Sequence, residues 1–189
     1  MVNSRGDEEG DFLVELIDEV VFFFNKLVTE DSQYIRRAFC RSVFQFVDGI
    51  ATDLKQDVER YESSELIGEN TYLALLNKKK VQIASKEKII TLRQGFAKNI
   101  RFAFDVYGWT AGLDIDLTAE PEEWQRFNRC VSVRNRVVHP REVQDLKISK
   151  DELIEMIKMF IWLKEKLVKA HEDVGMTWLR MAKAIKSSF

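Results

Sequence analysis

Apolar residues recur at three- and four-residue steps along almost the whole chain, and strand-like alternation is nearly absent. From Asp11 to about Thr29, Leu13, Leu16, Ile17, Val20, Phe24 and Leu27 predict a first helix, and the Phe22-Phe23-Phe24 run widens its apolar face. Asp11, Glu15, Asp18 and Glu19 load the first half of that helix with negative charge, favourable at the dipole's positive end. Asp31 or Ser32 then caps a long second helix reaching about Tyr61, with the stripe Ile35, Phe39, Val43, Phe46, Ile50 and Leu54. A polar loop over Glu62 to Asn70 leads to a short helix around Thr71 to Asn77. The next pattern, Ile89, Leu92, Phe96, Ile100, Ala103 and Tyr107, predicts a third long helix from about Glu87, broken by Gly108 and Gly112. Trp109 to Ala119 reads as a loop, turning acidic at Asp114 and Asp116.

Pro121 suits the first turn of the following helix, and a capping box of Ser149 and Glu152 opens the one after it, which carries Leu153, Ile157, Phe160, Ile161 and Leu167. A final amphipathic helix with Trp178, Ala182 and Ile185 closes the sequence. These elements predict an all-α, mainly antiparallel bundle of about four core helices with shorter accessory ones, a single domain over residues 11–189. Residues 1–10, acidic and glycine-containing, read as a flexible arm.

The helix entered at Pro121 carries an anomaly. At about 100° per residue, Trp124, Phe127, Cys130, Val131, Val133, Val137 and Val138 fall in one arc, and Arg134 sits near its middle. A guanidinium keeps its charge, so one aimed into an apolar face needs a carboxylate, a phosphate or a wet crevice. His139 precedes Pro140, which pushes it out of the α region, so the helix ends at Val138 and Arg134, Asn135 and His139 gather at one helix end. Basic residues there also complement the macrodipole, which accounts for Arg136, His139 and Arg141 without function, though not for Arg134.

Composition narrows the classes. The formal net charge of −2 excludes a generally basic nucleic-acid binder and leaves room for a local basic groove. Lys78, Lys79, Lys80, Lys86, Lys88, Arg93, Lys98 and Arg101 are opposed in sequence only by Glu87, forming either a solvated face or a surface that tracks phosphates. Cys40 and Cys130, without a CxxC, imply neither a disulfide framework nor a zinc site and suit a reducing, cytoplasmic setting. With only His139 and His171, a histidine-based metal centre is not expected, and no cofactor signature appears. The longest apolar run, Val20 to Phe24, is far too short to span a membrane, and no signal peptide is evident.

Arg134-Asn135-x-x-x-His139 at the end of a helix, within a short helical chain, resembles the catalytic signature of the HEPN superfamily (higher eukaryotes and prokaryotes nucleotide-binding). The resemblance implies a metal-independent endoribonuclease, commonly a toxin or antiviral effector restrained by an antitoxin or regulatory partner, that leaves 2′,3′-cyclic phosphate and 5′-hydroxyl ends. It implies that Arg134 holds the scissile phosphate, His139 moves the proton, and Asn135 positions the ring or the phosphate. A polar residue on the second helix often supports such a site, and Asp48, or else Asp53, is the nearest match. Lys98, Arg101, Arg136 and Arg141 become candidate RNA contacts. Some relatives place a modifiable Tyr two residues after the His; here that position is Arg141, so that mode of control is not supported. The alternative implied by other members is a non-catalytic nucleotide-binding or interaction module. The wide apolar arc and the Phe-rich first helix exceed one bundle seam, which predicts a two-fold homodimer.

Overall fold

The computed structural model describes residues 5–61, 67–83 and 86–186, with side chains over 12–60, 67–82 and 86–170. Its elements are α1 (Arg5–Thr29), α2 (Gln33–Tyr61), α3 (Glu69–Leu75), β1 (Lys78–Ile83), β2 (Lys86–Thr91), α4 (Phe96–Ala111), α5 (Pro121–Val138), a 3₁₀ turn (Val143–Leu146) and α6 (Lys150–Lys186). The fold is all-α apart from one two-stranded hairpin.

Helix α2 is the central post and packs against α1, α3, α4, α5 and α6. Its stripe Phe39, Val43, Val47, Ile50 and Leu54 is buried, as the periodicity requires. A three-residue link turns α1 back along α2, and within it Ser32 accepts a hydrogen bond from the Ile35 N–H. Asp31 instead receives the Arg36 guanidinium through both oxygens at 2.5 Å. The capping box forms as expected, with Glu152 N–H on the Ser149 hydroxyl and Ser149 N–H on the Glu152 carboxylate.

Four boundaries differ from the sequence pattern. Helix α1 starts at Arg5, six residues before Asp11, because Asp7, Glu8 and Glu9 favour a helix N-terminus despite two glycines. Residues 86–91, expected as the start of a long helix, form β2. Ile89, Ile90 and Thr91 are β-branched and prefer an extended backbone, and they pair antiparallel with Lys80, Lys79 and Lys78. Ile89 is exposed as a result, and α4 begins only after Gly95. Helix α4 then runs through Gly108 and stops at Gly112, whose φ of 68° provides the left-handed C-cap. The backbone of α6 is one continuous 37-residue helix where two were expected; the side chains of His171, Trp178, Ala182 and Ile185 lie outside the described residues.

Candidate functional site

Helix α5 ends where Pro140 requires: Val138 is its last residue and His139 its C-cap, with φ −123° and ψ 60°. The apolar arc is spent on the core, since Phe127, Cys130, Val131, Val133 and Val137 are buried. Arg134 is half-buried in the same arc. Its guanidinium carbon lies 5.2 Å from the ring centroid of Phe96, which stacks on Phe127 at 6.4 Å, and Phe127 stacks on Trp124 at 5.1 Å. The cation is thus held against the open end of an aromatic column, satisfied partly by the ring face and partly by solvent.

One Arg134 nitrogen donates to the Asn135 carboxamide oxygen at 2.9 Å. No carboxylate forms an ion pair with Arg134 among the described residues. The side chain borders two adjoining crevices. One, of about 340 Å³, is lined by Cys40, Arg41, Phe44, Gln45, Asp48, Phe96 and Val138. The other, of about 470 Å³, is lined by Asp48, Asn77, Leu92, Arg93, Gln94, Phe96 and Asn99. Asp48 is therefore in the neighbourhood expected of a supporting carboxylate, and it is exposed on the rim. Asp53, one turn further on, lines neither crevice.

His139 is exposed and opens on a separate groove of about 640 Å³, shared with Asn135, Arg136, Arg141 and Asp145. Asn135 thus touches both sides of the motif, holding Arg134 and lining the groove of His139. Asp145 uses one carboxylate oxygen to accept the Arg141 and Glu142 N–H groups at 2.8 and 3.3 Å, which folds the chain back beneath His139.

The remaining candidates divide by what they touch. Arg136 pairs with Glu152 at 2.7 Å and donates to the Lys147 carbonyl at 2.7 Å, so its charge is committed to the α5–α6 connection. Gln33 and Arg36 of α2 grip the Ile148 backbone of the same connection, which fixes the segment after His139. Arg101 pairs with Asp105 one turn along α4 at 3.3 Å, whereas Lys98 and Arg141 have exposed side chains. Lys80 of the hairpin is paired with Glu69 and Glu87.

Sequence reasoning missed Lys55, Asn77 and Asn99, and it named Arg93 only as one member of the basic run from Lys78 to Arg101. Lys55 was detectable by the signal that singled out Arg134, because it follows Ala51 and Leu54 and precedes Val58 on the buried stripe of α2. It is only 7% exposed. Burial holds its pKa below the usual lysine value, with the charge of Asp48 acting in the opposite direction. Both cysteines are free, and burial pushes each thiol up to about 12, which leaves Cys40 unreactive although it borders the crevice. Among the described residues no three His, Cys, Asp or Glu side chains are grouped as a metal site needs, and no helix is long and apolar enough to cross a membrane.

Comparison of the chain with protein-family models, with curated proteins and with solved structures finds no match.

Proposed function

We propose that the protein is a metal-independent endoribonuclease of the HEPN type. The observation that carries this reading is Arg134: a half-buried cation, unpaired by any described carboxylate, held over Phe96 at the lip of an open crevice and one turn before an exposed His139. A permanently charged fork with solvent-facing donors suits a phosphodiester. In the reaction, the neutral imidazole of His139 takes the proton of the ribose 2′-hydroxyl. The 2′-oxygen closes on phosphorus, the P–O5′ bond breaks, and O5′ takes a proton from water. Arg134 offsets the charge that grows on the phosphoryl oxygens, and Asn135 keeps the guanidinium in place through its hydrogen bond. The products are a 2′,3′-cyclic phosphate and a 5′-hydroxyl.

The same reading makes the protein a homodimer, a toxin or defence effector restrained by a partner protein, working in the cytoplasm. Within one chain Arg134 and His139 line different concavities, which favours a working site assembled from two copies. That separation is also the observation that favours the second reading, a non-catalytic nucleotide-binding module.

Purified protein incubated with total RNA in EDTA should yield fragments with cyclic-phosphate and 5′-hydroxyl ends. General acid–base help is worth about 10² to 10⁴ in rate, so His139→Ala should bring cleavage below detection. Arg134→Ala should do the same and weaken RNA binding, and Arg134→Lys should not rescue it. Cleavage that persists in His139→Ala, or that requires a divalent ion, rules the mechanism out; binding without cleavage leaves the module.

A further inference from the structure

The crevice that Arg134 borders beside the start of α4 holds polar groups for which the cleavage scheme has no use. Lys55 of α2 lies buried behind two of its lining residues, Asn77 and Asn99, and no ion pair with a carboxylate serves it among the described residues. Its ammonium donates to the carboxamide oxygens of Asn77 at 3.2 Å and Asn99 at 2.5 Å, and lies 5.5 Å from the centre of the Phe102 ring. An ammonium can only donate. Both carboxamides must therefore turn their oxygens toward Lys55, and their Nδ2 groups are left as donors. Both asparagines line the crevice.

Asn77 is placed there by the backbone as well. Its φ of 53° is the one positive value at a non-glycine position among the described residues, a conformation that asparagine tolerates better than most residues. Its carbonyl accepts the Leu92 N–H at 2.7 Å, closing the base of the hairpin and carrying Arg93 and Gln94 to the crevice wall. Gly95, the N-cap of the 16-residue α4, offers no side chain to the first-turn N–H groups, so the positive end of that helix lies at the same edge. Arg93, Arg134 and Lys55 stand against a single lining carboxylate, Asp48.

We propose that this crevice binds the phosphate group of a ribonucleotide. Arg93 and Arg134 act as charged donors, and Asn77 and Asn99, oriented by Lys55, act as neutral ones. Lys55 is a positioning residue, and its buried charge also lowers the cost of bringing an anion close. The inference rests on the nuclease reading only for the ribonucleotide that carries the phosphate.

The test is fluorescence anisotropy with a short, labelled 2′-O-methyl oligoribonucleotide, which lacks the nucleophilic hydroxyl and cannot be cut. Adenosine monophosphate, inorganic phosphate and adenosine serve as competitors. Arg93→Gln should weaken binding about tenfold or more, the worth of one charge-assisted hydrogen bond. Asn99→Leu should weaken it as well, although it removes no charge, and this separates a built site from diffuse attraction. Lys55→Met keeps the side-chain stem and releases the carboxamides, so it should resemble Asn99→Leu; if circular dichroism shows that it fails to fold, the exposed Arg93 carries the test. Lys158→Gln, on the outer face of α6, should bind as wild type does. Displacement by adenosine monophosphate or phosphate, and not by adenosine, assigns the crevice to a free phosphate or nucleotide, and displacement by unlabelled oligonucleotide alone assigns it to a strand. Either supports the proposal. Unchanged affinity in Arg93→Gln and Asn99→Leu, or no binding of any phosphate probe, overturns it. Cleavage is scored separately, so binding without cleavage removes the nuclease and leaves the crevice standing.

Discussion

Arg134 shows why a charged residue in an apolar arc need not be sealed by an opposite charge. Its methylene stem follows the buried face of α5 while the guanidinium caps a column of three rings, Phe96, Phe127 and Trp124. A cation over an aromatic face is worth about 0.5–1 kcal/mol when exposed and about 2 when desolvated. A double-mutant cycle on Phe96→Leu and Arg134→Met, followed by urea unfolding, should therefore show a coupling of about 1 kcal/mol. Additive losses would mean that the ring only fills space. Lys55 is held differently, by two carboxamide oxygens and the face of the Phe102 ring. Burial without a carboxylate partner costs desolvation energy, which the two hydrogen bonds and the ring contact offset in part.

Among the elements, the α5–α6 connection is tied more firmly than its length suggests. Arg136 reaches across from α5 to Glu152 and the Lys147 carbonyl, and Arg36 and Gln33 reach from α2 to Ile148. The outer seam between α5 and α6 is electrostatic. Glu120 accepts from Lys166 and from the Trp162 indole, and Glu155 receives Arg129 and Arg126. Lys166 holds the Glu120 carboxyl below its ordinary value of 4.5, and Arg129 does the same for Glu155. Carboxylates with lowered folded-state values contribute stability that is fully present above the ordinary value and is lost as pH falls through the lowered one. Thermal stability should therefore be flat from neutrality to about pH 5 and decline below about pH 4.5, with the decline shallower in Glu155→Gln. An acid limb unchanged by that substitution would remove the seam as its cause. The hairpin is the contrasting element: β2 is exposed along its whole length, and Lys78, Lys79, Lys80, Lys86 and Lys88 are distributed over both faces of a ribbon.

Among the described residues, one apolar groove lies away from the motif. Val20, Val21 and Phe24 of α1 and Ile157, Phe160 and Ile161 of α6 line an apolar groove of about 200 Å³ over Phe39. Around α2, at about 100° per residue, Phe39 lies roughly opposite Arg41 and Asp48, which border the Arg134 crevice. A dimer built on that groove would keep the two Arg134 crevices apart, so the nuclease reading needs a contact at the α5 end, where Val138 is partly exposed. Light scattering should give about twice the 22.2 kDa chain mass. Co-refolding inactive Arg134→Ala with inactive His139→Ala should then restore up to half of one wild-type activity per dimer, because one of the two shared sites regains both residues. A strict monomer, or mixtures that stay dead, would confine the site to one chain.

The sequence by itself determined the helical class, the α2 stripe, the Ser149–Glu152 cap and the end of α5 at Val138, because each follows from local periodicity, capping or the steric rule before proline. It also marked Arg134 as a misplaced charge, since one helix wheel suffices to see it. Only the tertiary structure decided what that charge meets. Phe96 belongs to another helix, and its place beneath Arg134 depends on where α4 begins. That start was misread because β-branched residues and Gly95 overrode an apolar spacing that fits a helix equally well. The Lys55, Asn77 and Asn99 cluster joins α2, the end of α3 and α4 across separations of 22 and 44 residues. No local pattern encodes such a meeting; it follows from packing three helix surfaces against one another.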